Sequence, residues 1–134
     1  MNTPTSAADE SSLRLFALIS YGLLLLAGTN GLTAIVAVVL AYIKRDEARG
    51  TPFESHFSNI VTVFWSAIAA IAIVVAAAGA SAITLFGGPE PHHVLPQAIG
   101  IGIVLWAAAV GFVVWYLYRV IRGFIRAIDG RAYA

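Results

Sequence analysis

The chain has 134 residues, of which 60% are hydrophobic and only 11% are charged. An ordinary soluble domain is roughly 25% charged, so a soluble surface could not be built from so few polar residues. The formal net charge of +1 excludes the concentrated basic surface that nucleic-acid binding requires, and the absence of cysteine excludes disulfides, thiolate metal sites and thiol catalysis. The composition therefore predicts an all-α, polytopic integral membrane protein.

The first twelve residues are polar and include the acidic pair Asp9-Glu10. They predict a disordered tail over 1–12 that leads into a helix near Ser11 or Ser12. The apolar run that follows has the length of the apolar region of a signal peptide. However, only Arg14 supplies a basic charge ahead of it and no small-residue cleavage motif follows it, so cleavage is disfavoured.

The first apolar stretch, Leu15–Ile43, contains no charge and is interrupted by Gly28-Thr29-Asn30-Gly31. As a single helix it would be about 43 Å long, well beyond a hydrocarbon core of about 30 Å. Two glycines that flank Thr-Asn are a strong helix breaker. A short hairpin with helices over 13–27 and 32–49 is therefore favoured, and the single long helix is the alternative.

A charged hinge follows, because six of the chain's fifteen charged residues lie between Lys44 and Glu54. Such a cluster between two uncharged apolar stretches is typical of a loop between membrane helices. Thr51-Pro52-Phe53-Glu54 has the pattern of a capping box, which predicts a third helix over 52–86. His56 stands at the expected membrane interface. It is either an interfacial polar residue or part of a functional hinge with Lys44, Arg45, Asp46 and Glu47.

A loop rich in glycine and proline follows, and Pro96 then predicts a fourth helix over 96–128. The pair His92-His93 in this loop could bind a metal or sense pH. No third ligand stands at a recognisable spacing, so a solvated loop is favoured. Small residues recur along the third and fourth helices and would let other helices approach closely. The candidate packing positions are Ala72, Ala76, Ala80, Gly102 and Gly111.

The end of the fourth helix has a basic face and an apolar face. Arg119, Arg122 and Arg126 recur at helical spacing, while apolar residues such as Phe124 and Ile125 fall on the other side. This pattern predicts an amphipathic C-terminal extension on the membrane surface. Its arginines would either bind anionic lipid or simply fix the orientation of the helix. The membrane domain then spans 13–128, and 129–134 form a short tail.

The basic residues predict the orientation. In the hairpin arrangement all eight lie on one side, since the hinge and the C-terminus hold seven of them and Arg14 is the eighth. By the positive-inside rule, the N-terminus, the hinge and the C-terminus are cytoplasmic.

Several of these features together resemble a known family. An apolar hairpin broken by glycines is followed by Ala41-Tyr42-Ile43-Lys44-Arg45-Asp46-Glu47 and then by Glu54-Ser55-His56-Phe57. This order is similar to a family of small bacterial membrane proteins catalogued as a domain of unknown function (number 4870), which is distantly related to the Tic-twenty component of the chloroplast import translocon. The chain departs from the family after the histidine, where Phe57-Ser58-Asn59-Ile60-Val61 replaces a Lys-Glu-Ala-Leu-Asn-Phe run. The resemblance implies four helices and a bacterial inner-membrane location, and it implies no activity.

The functional expectation is a non-enzymatic membrane protein, with no catalytic residue, cofactor or metal. No Ser/His/Asp motif is present, and no ionisable residue lies deep in a predicted span, which disfavours an ion-coupled transporter. The expected partners are the lipid bilayer and either a second copy of the chain or another membrane protein, but not nucleic acid. The alternative, which the translocon resemblance implies, is a component of a membrane transport or protein-translocation pore.

Overall fold

The structure is a computed structural model that describes residues 6–28, 30–87 and 94–133. It contains four α-helices: α1 (Ala7–Leu26), α2 (Leu32–Arg45), α3 (Glu54–Phe86) and α4 (Val94–Ile128). These described residues include no β-strand, so the predicted all-α architecture of four helices is confirmed. The chain divides into two compact units, one formed by Met1–Trp65 with Tyr116–Ala134 and the other by Ser66–Trp115.

Helix α1 begins at Ala7, six residues before the predicted start at 13, because Ser6 caps it. The Ser6 hydroxyl accepts a hydrogen bond from the Asp9 N–H at 3.2 Å, and the Asp9 carboxylate accepts one from the Ser6 N–H at 3.1 Å. This reciprocal pair is a capping box with aspartate in place of the usual glutamate. The hydrogen bonds from Ser6 also lower the pKa of Asp9.

Two separate helices, not one long helix, occupy the first apolar stretch. Asn30 closes the break between them, since its side-chain oxygen accepts from the Leu32 N–H at 3.1 Å and its carbonyl accepts from the Thr33 hydroxyl at 2.8 Å. Gly31 has a φ of −58°, so it does not use a left-handed conformation here. The hairpin is therefore confirmed, while Thr29 lies outside the described residues.

The core of the first unit forms where helical faces of small and apolar residues meet. On α1 the buried positions recur every three or four residues, which places them on one face: Leu13, Ala17, Ser20, Tyr21 and Leu24. Four of them, all but Ser20, pack in one cluster with residues of the other helices and the hinge, which include Ala41, Ala48, Phe57, Ile60, Val63 and Val120.

Helices α1 and α4 run antiparallel in this unit. The Tyr116 hydroxyl donates to the Leu24 carbonyl at 2.6 Å near one end of the contact. Arg14 donates to the Ile128 carbonyl at the other end. The C-terminal part of α4 is thereby held against the N-terminal hairpin.

The hinge has an ordered backbone between α2 and α3. Helix α2 ends at Arg45, four residues before its predicted end, and Gly50 adopts the left-handed region with a φ of 77°. The expected capping box is displaced by one residue: Glu54 accepts from the Gly50 N–H at 3.0 Å, and the Thr51 hydroxyl accepts from the Phe53 N–H at 3.3 Å. Helix α3 consequently begins two residues later than predicted.

The second unit, Ser66–Trp115, contains the later part of α3 and the earlier part of α4. Two stretches, Glu54–Thr84 and Pro96–Ile128, are long and apolar enough to cross a membrane. In the most apolar part of each stretch, only 11% of the first and 0% of the second is buried. The core helix of a soluble protein would instead be mostly buried. Pro96 is accommodated in the first turn of α4, where backbone N–H groups have no helical partner. The predicted loop with His92 and His93 lies outside the described residues.

Candidate functional site

Three polar side chains meet inside the first unit, where α1 packs against the start of α3. Tyr21 and His56 are fully buried, and Asn59 is 3% exposed. The Tyr21 hydroxyl lies 3.2 Å from His56 Nδ1 and 3.1 Å from Asn59 Nδ2. His56 and Asn59 are three residues apart and so share one face of α3. We call Tyr21, His56 and Asn59 the buried polar cluster.

The hydrogen bonds of the buried polar cluster run in one direction. His56 Nε2 lies 2.7 Å from the carbonyl of Arg131, which can only accept, so Nε2 carries the proton. In the neutral imidazole Nδ1 is then an acceptor, and the Tyr21 hydroxyl donates to it. The Asn59 amide donates to the Tyr21 oxygen in turn. The hydrogen bonds thus pass from Asn59 through Tyr21 and His56 to Arg131.

Asn59 Oδ1 is buried and accepts no hydrogen bond from the part of the chain that the structure describes. An unsatisfied buried acceptor costs about 1–3 kcal/mol. A proton added to His56 Nδ1 would make that nitrogen a donor to Tyr21, whose O–H would then need another acceptor. Rotation of the Asn59 amide would supply Oδ1 in that role. The cluster can therefore satisfy both ring nitrogens of His56 in its neutral and its protonated form.

Gly123 of α4 lets the Tyr21 ring lie directly against the helix backbone. A Cβ atom at this position would lie 2.3 Å from the Cζ atom and the hydroxyl oxygen of Tyr21. Val120 and Ala127, on the same face of α4, are also fully buried. A glycine is required here because any larger residue would displace the ring on which the cluster depends.

A helix-terminating turn brings the Arg131 carbonyl to His56. The Arg131 N–H donates to the Arg126 carbonyl at 3.0 Å, and the Gly130 N–H donates to the Ala127 carbonyl at 3.2 Å. This pair of bonds is the Schellman motif, and Gly130 supplies the left-handed conformation it requires, with a φ of 66°. The turn reverses the chain after α4 and directs it back toward α3.

The C-terminal segment, Arg131–Tyr133, is fastened to both helices. The Tyr133 N–H donates to the Ser55 hydroxyl at 2.8 Å. Arg126 donates to the carbonyls of Ala132 at 3.2 Å and Tyr133 at 2.8 Å. The sequence predicts a short tail over 129–134, and the described part of that tail is held by side chains of α3 and α4.

The three arginines predicted to face lipid all contact their own chain. Arg119 donates to the Tyr133 hydroxyl at 3.2 Å, and Arg122 donates to the Tyr118 hydroxyl at 3.1 Å. The guanidinium groups of Arg119 and Arg122 each lie 5.6 Å from the centre of the Tyr133 ring, within the range of cation–π attraction. Arg126 binds the carbonyls described above. Their role in lipid anchoring stays a prediction.

The charges of the hinge pair with one another. Lys44 contacts Glu47 at 2.6 Å and Arg49 contacts Asp46 at 3.0 Å. The Arg49–Asp46 pair is exposed and contributes about 0–1 kcal/mol, whereas the Lys44 side chain is half-buried and its ammonium group also lies 4.7 Å from the centre of the Phe16 ring. Arg45 is also exposed. Among the contacts of the described residues, none joins these charged groups to His56, so the predicted functional hinge separates into an exposed charged turn and a buried histidine.

The small-residue positions lie in the second unit and face outward. Ala72, Ala76 and Ala80 are all exposed on α3. Gly102 and Gly111 are exposed on α4, and a Cβ atom at either would meet nothing within 4 Å. These two glycines are nine residues apart and so lie on opposite sides of the helix. None of these positions packs against another helix in the part of the chain that the structure describes.

Two members of the buried polar cluster were not predicted as site residues. Tyr21 lies in a leucine-rich run, and its only sequence signal is that it shares a helical face with Leu13, Ala17 and Leu24. Asn59 is close to His56 in sequence, but its partner on α1 is 38 residues away. No group of three metal-ligating side chains occurs within the described residues.

The chain was compared with protein-family models, with curated proteins and with solved structures, and no match was found in any of the three comparisons. The resemblance to the small bacterial membrane family therefore stays a prediction.

Proposed function

We propose that the protein is a non-enzymatic, polytopic protein of the bacterial inner membrane that assembles with a second copy of itself through α3. The observation that carries this proposal is the exposure of Ala72, Ala76 and Ala80 on a helix long and apolar enough to cross a membrane. Within a bilayer, large exposed apolar side chains are covered by lipid. A row of small side chains instead favours close approach of another helix.

The spacing of the three alanines supports one continuous contact surface. Each is four residues after the last, so successive positions are displaced by about 40° around the helix and form a slowly winding row. Ala78 is also exposed, but it lies two residues after Ala76 and therefore about 200° around α3. It provides a matched control on the opposite side.

The test is the oligomeric state of the purified protein in a mild detergent, measured by light scattering and by blue-native electrophoresis. We expect a dimer that dissociates in Ala76→Leu, because the larger side chain would separate the helix backbones. Ala78→Leu should leave the dimer intact. A wild-type monomer, or equal behaviour of the two variants, would contradict self-assembly through this face.

The alternative of a transport or translocation pore rests on the translocon resemblance alone. A pore needs polar groups that face a lumen. Three of the hydroxyl groups on α3, those of Thr62, Ser81 and Thr84, instead donate to carbonyls of their own helix. Ion or substrate flux through proteoliposomes that contain the purified protein would favour the pore over simple assembly.

A further inference from the structure

A surface groove in the first unit lies between the end of α4 and the C-terminal segment. Its volume is about 580 Å³, which is within the range of about 300–1,000 Å³ typical of small-molecule sites. One part of its wall is apolar and another is charged. The lining residues are Tyr118, Ile121, Ile125, Arg122, Arg126, Asp129 and Arg131.

The charged groups of the groove are of both signs. Arg122 donates one hydrogen bond to Tyr118, and a guanidinium group has five N–H donors. Arg131 is exposed, and only its backbone is engaged by His56. Asp129 is exposed and forms no ion pair with the basic residues that the structure describes. An anionic group and a cationic group could therefore both be bound.

We propose that this groove binds one phospholipid whose headgroup carries a primary amine. The phosphate would accept hydrogen bonds from Arg122 and Arg131, because guanidinium groups match phosphate geometry. The ammonium group would donate to Asp129. One acyl chain would begin beside Ile125 and Ile121, which are 53% and 46% exposed, and would run from there past Tyr118 into the hydrocarbon core.

The position of the groove along α4 agrees with a headgroup site. Tyr118 follows Pro96 by 22 residues, or about 33 Å of helix, which is close to the thickness of the hydrocarbon core. The groove begins at Tyr118 and extends beyond it, at the level of the headgroups. The inference rests on the proposed membrane location but does not require self-assembly.

The test uses native mass spectrometry of the full chain in detergent, with equal amounts of phosphatidylethanolamine and phosphatidylcholine that carry identical acyl chains. Both lipids are zwitterionic, but only the primary amine can donate a hydrogen bond to Asp129. We expect the wild type to retain about fivefold more phosphatidylethanolamine, the ratio that roughly 1 kcal/mol would give for one exposed charge-assisted bond. Asp129→Asn should reduce this preference, because a neutral amide oxygen accepts a weaker hydrogen bond from the ammonium group than a carboxylate does.

Two further variants complete the design. The double variant Arg122→Gln with Arg131→Gln should lower retention of both lipids to a similar extent, because it removes the phosphate contacts. Asp46→Asn removes an exposed carboxylate in the hinge and should change nothing. Equal retention of the two lipids by the wild type, an unchanged preference in Asp129→Asn, or full retention by the arginine variant would overturn the proposal. Release of the chain from membranes by alkaline carbonate would instead contradict the membrane location itself.

Discussion

Replacing Tyr21 with phenylalanine removes a single oxygen atom and leaves the shape of the buried ring unchanged. That oxygen accepts from Asn59 at 3.1 Å and donates to His56 Nδ1 at 3.2 Å. The substitution therefore leaves two further buried polar atoms without a hydrogen bond. Asn59 Oδ1 already lacks one among the described residues, so the Asn59 side chain would lose its last described partner.

The size of the effect can be bounded. Hydrogen bonds between membrane helices contribute about 0.6 kcal/mol on average, so two would give roughly 1 kcal/mol. Two unsatisfied buried groups cost about 1–3 kcal/mol each, although losses at neighbouring sites are not additive. Tyr21 and His56 are both 0% exposed, so neither lipid headgroups nor water can replace the lost partner. We therefore expect a loss of about 2–4 kcal/mol in the free energy of unfolding.

Unfolding by sodium dodecyl sulfate in mixed micelles measures this free energy. Tyr42→Phe is the matched control, because the Tyr42 hydroxyl also accepts a hydrogen bond, from Trp65 at 2.9 Å, but the residue is 48% exposed. We expect the control to lose less than about 1 kcal/mol. Amide exchange at Tyr133 should also become faster in Tyr21→Phe, since the cluster holds the segment to which Tyr133 belongs. A loss no larger than that of Tyr42→Phe would refute the reasoning.

Two other predictions concern the packing of α4 and the orientation of the chain. Gly123→Ala should destabilise the protein by about 1–3 kcal/mol in the same assay, because its Cβ would overlap the Tyr21 ring. Gly111→Ala, where nothing lies within 4 Å, should be neutral or slightly stabilising, and a similar loss in both variants would contradict the close contact. For the orientation, the absence of native cysteine allows single introduced cysteines to be labelled with an impermeant maleimide in intact spheroplasts. Gly28→Cys should react and Arg49→Cys should not, and the reverse pattern would exclude a cytoplasmic hinge.

The sequence was sufficient to predict the helices and the breaks between them. Apolar stretches separated by Gly28-Thr29-Asn30-Gly31, by the charged hinge and by the glycine- and proline-rich loop before Pro96 specify four helices, because each break contains residues that disfavour a continuing helix. The helix ends were less predictable. Ser6 and Asp9 form a capping box with aspartate, and Glu54 bonds to Gly50 in place of the expected Thr51. Such differences depend on which side chain bonds to which backbone N–H group, and a pattern of residue types does not determine this.

The buried polar cluster could not be predicted, because its members come from distant parts of the chain. Tyr21 and His56 are 35 residues apart, and His56 and Arg131 are 75 residues apart. Their meeting depends on the contact of α1 with α4 at Gly123 and on the turn at Gly130. Gly130 stands just past the predicted end of α4, where a helix-terminating glycine is expected, whereas Gly123 has an ordinary local appearance in the sequence. Only the packed arrangement shows that Gly123 is needed for close approach and that the turn at Gly130 leads to His56.

The arginines of α4 show that the sequence can predict which residues share a helix face without predicting which groups contact that face. Their spacing correctly places Arg119, Arg122 and Arg126 along one side of the helix, but spacing carries no information about the group that meets that side. Tyr133 returns to this face after the turn at Gly130 and contacts Arg119 and Arg122. The chain thus supplies its own aromatic and carbonyl partners to residues that the pattern assigns to lipid. The proposed lipid would therefore bind beside the C-terminal segment, where the groove with Arg131 lies.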